Sequence, residues 1–150
     1  MAQFAGLDQV WLVVSPQNPL KDKKSLLKDY HRLAMLRAAL DDYSYIKASD
    51  VELHLPVPSY TTTTLAHLEE KHPEHTFSLI MGSDNLESLH KWKNYEVILE
   101  HYDLYVYPRP GHEGGLLRHH PRVHWMALAP QFNISATFIR ESVKNKKDIR

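Results

Sequence analysis

The sequence predicts an α/β fold with a mainly parallel sheet and helices on both faces, and three observations predict it. Val10-Trp11-Leu12-Val13-Val14 and Phe77-Ser78-Leu79-Ile80-Met81 are short apolar runs, the first rich in β-branched residues. Such runs suit strands covered on both faces. Segments of helical periodicity separate the strand-like runs, the order of an α/β domain. The unusual polar residues fall just after the strands, where α/β sheets bind ligands.

The elements follow in order. Val10 to Val14 is the first strand. A helix is expected from about Ser25 to Asp42, with Leu26, Leu27, Tyr30, Leu33, Ala34 and Leu40 on its apolar side. Val51 to Leu55 alternates, with Glu52 and His54 outward, and reads as a strand with one wetter face. Thr62 to Lys71 reads as a helix. Phe77 to Met81 is a second buried strand, stopped at Gly82. Tyr95 to His101 reads as helix, Leu104 to Tyr107 and Val123 to Leu128 as strands, and a last helix starts near Ser135 or Thr137. His112 to Arg122, around Gly114-Gly115, is the least regular stretch and is expected to be a mobile loop.

Composition narrows the function. One domain of 150 residues can bury a real core. Lys plus Arg and Asp plus Glu are 18 each, so no global field draws nucleic acid or an anionic membrane. Phosphate recognition, if any, is local. With no cysteine, disulfides and thiolate metal sites are excluded. No apolar run reaches membrane-spanning length, and Met1 to Gly6 lacks the features of a signal peptide. The cytoplasm is the expected location. Eleven histidines include the groups His67, His72, His75 and His119, His120, His124. Neither repeats a strong zinc spacing, so scattered surface histidines and no metal site are expected.

Five loops should converge on one rim. They are Ser15 to Pro19, Pro56 to Thr61, Gly82 to Asn85, Pro108 to Gly111, and the residues leading from Gln131 and Asn133 into the last helix. That last segment carries the sharpest signal. Ser135 and Thr137 are both candidates to cap the helix. Its first turn carries Arg140, where the exposed N–H groups favour an acidic residue. A phosphate in front of the helix would reconcile the two.

Several segments, in this order, resemble bacterial nicotinate-nucleotide adenylyltransferases of the nucleotidyltransferase superfamily. They are Pro16 to Lys21, Arg32-Leu33-Ala34-Met35-Leu36, Pro58-Ser59-Tyr60-Thr61 with Thr64-Leu65, Gly82-Ser83-Asp84-Asn85-Leu86 with Trp92, Arg109-Pro110-Gly111, and Ser135-Ala136-Thr137-Phe138-Ile139-Arg140. No one motif is decisive, but their order and spacing together are specific. The resemblance implies a Rossmann-like nucleotidyltransferase fold and transfer of AMP from ATP to nicotinate mononucleotide. It implies that Arg140 and Ser135 act on the ATP phosphates, with Thr137, Lys21 and Asp84 completing the ATP site. Tyr60, Thr61, Trp92 and Arg109 would hold the nicotinate nucleotide, Trp92 by stacking and the Tyr60-Thr61 backbone by meeting the carboxylate. Magnesium would come with ATP, without dedicated protein ligands. A homo-oligomer stays open.

The superfamily's opening strand, glycine-rich turn and His-X-Gly-His motif have no counterpart in these 150 residues. The expectation is a single domain over residues 1–150, truncated at both ends, with Met1 to Gly6 as the tail of the family's first helix and the first strand missing. Such a chain is expected to be inactive by itself. Two alternatives stand beside this reading: another adenylyltransferase, such as pantetheine-phosphate adenylyltransferase, and a non-catalytic nucleotide-binding remnant.

Overall fold

A computed structural model describes residues 5–16, 27–130 and 136–147. Among the described residues five short strands run β1 (Val10–Val13), β2 (Ile46–Ser49), β3 (Leu79–Gly82), β4 (Leu104–Tyr107) and β5 (Val123–Trp125). Between and after them lie α1 (Asp29–Ala39), α2 (Thr61–Lys71), α3 (Ser83–Ser88), α4 (Tyr95–His101) and α5 (Ala136–Lys144). Every strand pair is parallel. Parallel neighbours need a crossover; α-helices supply it from β1 to β2 and from β3 to β4, and a loop with a 3-10 turn from β4 to β5. The α/β expectation therefore holds.

The strands form two sheets, β1-β2 and β3-β4-β5. In the first, Val10 faces Ile46 and Val13 faces Ser49; in the second, Leu79, Leu104 and Val123 stand in register. Among the described residues, β1 and β3 each have a strand partner on one side only.

The core sits with the larger sheet. Met81, Leu86, Leu89, Ile98, Leu99, Leu104 and Val106 form one buried cluster, and Trp92, Tyr95, Leu117, Val123 and Trp125 pack against it. Burying each side chain of Leu or Ile size stabilises by roughly 1.5–3 kcal/mol. The smaller sheet is thinner. Within the Val10 to Val14 run only Val14 is buried and Leu12 is exposed, so that strand is not covered on both faces as expected. The reason lies in α1. Only Leu33 is buried there, with Leu36 and Leu40 half-buried on the same face, while Leu27 before the helix and Tyr30 and Ala34 within it are exposed.

Two further segments differ from expectation. Val51 to His54 is a 3-10 turn rather than a strand, and Glu52 points inward, where its Oε1 accepts the Thr64 hydroxyl at 2.9 Å. The strand lies just before it, at Ile46–Ser49. The last strand is shorter than the run from Val123 to Leu128 suggests. β5 stops at Trp125 and the segment after it turns, with the Met126 amide bonded to the Val106 carbonyl at 2.8 Å and the Ala129 amide to the Met126 carbonyl at 3.0 Å.

Candidate functional site

The carboxyl ends of β3 and β4 are neighbours, and they set the centre of the rim. β3 ends at Gly82 and passes at once into α3, so Ser83 and Asp84 lie in that helix's first turn. β4 ends at Tyr107, two residues before Arg109. The Arg109 amide donates to the Ser83 hydroxyl at 2.8 Å, which fastens one loop to the other. The Arg109 Nε lies 3.7 Å from Asp84 Oδ1, an ion pair rather than a hydrogen bond. Asp84 Oδ1 is buried and has no hydrogen-bond partner among the described residues. A buried acceptor left unmatched is costly unless a ligand or water completes it. Gly82 is required by space: a Cβ there would stand 2.7 Å from Arg109 Cδ and would also collide with the Asp84 carboxylate.

A second group gathers at the start of α2. Tyr60 precedes the helix in extended conformation and no side chain caps it. The first turn holds no acidic residue. The Thr64 amide is bonded to the Tyr60 carbonyl at 3.0 Å, the first bond of the helix. The amides of Thr61 and its successors are thus at a helix amino end, where acceptors and negative charge are favoured. Lys93 Nζ stands 4.3 Å from the centre of the Tyr60 ring. Lys93 follows Trp92, so the Tyr60 and Trp92 regions come together through that cation. Trp92 is half-buried and packs on the core cluster.

The third group is on α5. This helix starts at Ala136, which puts Thr137 inside its first turn rather than ahead of it as a cap. Arg140 Nη2 donates to Thr137 Oγ1 at 3.2 Å, and both residues are exposed. Ser135 and Lys21 lie outside the described residues. The geometry thus joins Asp84 with Arg109, Tyr60 with Lys93 beside Trp92, and Thr137 with Arg140.

Two residues with no role assigned from the sequence fasten the segments that follow β1 and β4. Arg32 Nη2 donates to the Ser15 carbonyl at 2.5 Å and to Asp29 Oδ1 at 2.6 Å, holding the segment after β1 against α1. Glu87, on α3, gathers the loop after β4. Its Oε2 is 2.7 Å from His112 Nδ1, and its Oε1 accepts from the amides of Glu113 at 2.9 Å and Gly114 at 3.1 Å. The hydrogen bond from His112 is the first cause holding the Glu87 carboxyl below its usual range, helped by the loop amides. Residues Gly115–His119 then form a 3-10 helix, and the Arg118 guanidinium lies 4.2 Å from the Trp125 ring centre. The stretch expected to be a mobile loop is a bonded one. Its signal was present as a glutamate just after the Gly-Ser-Asp turn, but the partners are over twenty residues away in sequence.

The histidines divide. His124 Nε2 pairs with Asp103 Oδ1 at 3.1 Å, and His120 Nδ1 accepts from the Arg122 amide at 3.3 Å. His72 and His75 do come together, with Glu74 rather than His67 as the third member.

A family model described as cytidylyltransferase-like matches residues 1–142. A probable nicotinate-nucleotide adenylyltransferase of Flavobacterium johnsoniae is 57% identical over 152 residues, covering 100% of this chain and 78% of that protein. Another, of Bacteroides fragilis, is 43% identical over 150 residues, covering 100% of this chain and 74% of that protein. Among solved structures, Plasmodium falciparum nicotinic acid mononucleotide adenylyltransferase complexed with NaAD superposes with a TM-score of 0.69 at 20% identity, over 95% of this chain and 73% of that one. At that identity the likeness speaks for the fold.

Proposed function

The chain belongs to the cytidylyltransferase-like family and, within it, to the nicotinate-nucleotide adenylyltransferases, and from that premise we propose that its site takes ATP and nicotinate mononucleotide. The reaction is transfer of AMP: a phosphate oxygen of the mononucleotide attacks the α-phosphorus of ATP, and pyrophosphate leaves. Deamido-NAD is the dinucleotide formed. No side chain need become a nucleophile, so the protein's part is positioning and neutralising charge.

The observation that carries this reading is the rim between β3 and β4. The Asp84 oxygen that lacks a hydrogen-bond partner suits a hydroxyl donor such as a ribose, beside a guanidinium suited to phosphate. The uncapped start of α2 suits the nicotinate carboxylate, with backbone N–H groups near Tyr60 and Thr61 as donors. Trp92 would stack on the pyridine ring with the face it does not give to the core. Arg140 and Thr137, with Ser135 and Lys21, would attend the ATP phosphates. Magnesium needs about six oxygens at roughly 2.0–2.1 Å. The rim's Asp84 is already paired with Arg109, so the ion would travel on the phosphates and waters, screening their charge. No described helix is long and apolar enough to cross a membrane; we place the reaction in the cytoplasm.

Calorimetric titration tests the proposal. ATP and nicotinate mononucleotide should each bind, and ATP should bind more tightly than CTP, the other nucleotide the family's name suggests. Preference for CTP, or no binding of the mononucleotide, would refute it.

A further inference from the structure

The loop between α2 and β3 holds a cluster that nucleotide binding does not use. His72 directly follows α2, and the His75 amide donates back to the His72 carbonyl at 3.0 Å. That turn stacks the two imidazoles, with centroids 5.7 Å and planes 24° apart. Glu74 lies against both. Its Oε1 is 3.5 Å from His72 Nδ1 and 3.5 Å from His75 Nε2. One ligand atom from each residue lies within 4.8 Å of the other two.

Zinc binds imidazole nitrogen and carboxylate oxygen at about 2.0–2.2 Å, so two donors at corners of a tetrahedron stand roughly 3.3–3.5 Å apart. Two of the donor pairs already have that spacing. We propose that His72 Nδ1, Glu74 Oε1 and His75 Nε2 form a site for a late first-row divalent cation, taken here as Zn2+, with water in the remaining position. Two imidazoles and one carboxylate favour zinc, nickel or copper over magnesium or calcium.

The position says what the ion would do. His72 is half-buried while Glu74 and His75 are exposed, so solvent can deliver it. The loop lies at the amino end of β3, away from the carboxyl end that carries Asp84. Trp11 of β1 stands edge-on to His72 at 5.0 Å, to His75 at 5.9 Å and to Phe77 at 5.6 Å between ring centroids. These are the contacts by which β1 of one sheet meets the approach to β3 of the other. Fixing the two imidazoles would stiffen that junction, so the site is a clamp and takes no part in AMP transfer.

The test is titration of the full chain with Zn2+ alone in a non-chelating buffer at neutral pH. One equivalent should bind. His75→Ala and Glu74→Gln should each weaken it at least tenfold, while His101→Ala, a surface histidine on α4, leaves it unchanged. Circular dichroism of the variants checks that they fold. Zn2+ should raise Tm in the parent chain and not in His75→Ala, and should leave ATP affinity as it was. Absence of stoichiometric binding would overturn the proposal. So would affinity that survives both His75→Ala and Glu74→Gln, which would assign the ion to other histidines. Dependence of ATP binding on Zn2+ would overturn the clamp role.

Discussion

At the scale of single residues, the rim turns on how little room surrounds Gly82. The strand ends there because α3 begins at Ser83, and the space a side chain would fill is occupied by Arg109 and Asp84. Gly82→Ala must push Arg109 aside. Overpacking of this kind costs typically about 1–3 kcal/mol. We expect a urea midpoint shift of that size together with weaker nucleotide binding; a silent substitution would mean the two loops are loosely joined. Arg140 is tested differently, since it is exposed and should matter for ligand rather than for stability. A hydrogen bond to a charged group is worth roughly 1.5–3 kcal/mol, so Arg140→Ala should weaken ATP about tenfold or more at little cost in Tm. Unchanged ATP affinity would remove Arg140 from the phosphate site.

At the scale of elements, the most legible segments are those with one consistent pattern. Tyr95–His101 and Leu104–Tyr107 begin and end where the periodicity says, because the buried faces Ile98-Leu99 and Leu104-Val106 face one core. Val51 to His54 resembles a strand in sequence because over four residues a period of two and a period of three look alike; burial of Glu52 against Thr64 decides it. Asp84 and Arg109 are legible as candidates from their place after strands, but their mutual approach is not, since only the parallel register of β3 and β4 brings them together. The loop after β4 is illegible for a related reason: its order comes from Glu87 on another element. That dependence sets a pH response. Glu87 has a depressed carboxyl pKa in the folded chain, so its contribution is present above the ordinary value of 4.5 and is lost as pH falls through the lower folded value. Hydrogen exchange at the Glu113 and Gly114 amides should therefore lose protection on acidification below the ordinary carboxylate range, after correction for the intrinsic exchange rate. Glu87→Ala, which removes the acceptor of both amides, should give fast exchange already at neutral pH. Slow exchange in that variant would show that the loop is held by other contacts.

At the scale of the whole molecule, two parallel sheets share one chain but no strand ladder joins them among the described residues. The strands β1 and β3 each leave one edge without a described partner, and such edges invite association. The smaller sheet also buries little: Leu12, Tyr30 and Met35 are exposed. We expect a low melting temperature and concentration-dependent association, read by calorimetry and light scattering. A monomer with a sharp melt at high temperature would contradict this picture of the two sheets.

We propose that the rim takes a nicotinate rather than a nicotinamide nucleotide. The two ligands differ by a carboxylate against a carboxamide, and stacking on Trp92 cannot separate them. On this proposal backbone N–H donors at the start of α2 would separate them, because the amide's NH2 would meet them donor to donor. A mismatched buried pair costs roughly 1–3 kcal/mol, about five- to a hundredfold in affinity. The measurement is the dissociation constants of nicotinate and nicotinamide mononucleotide by calorimetry, in the parent chain and in Trp92→Ala. The acid should bind at least about fivefold more tightly, and Trp92→Ala should weaken both ligands while preserving most of that ratio. Equal affinity for acid and amide in the parent chain would contradict the nicotinate assignment.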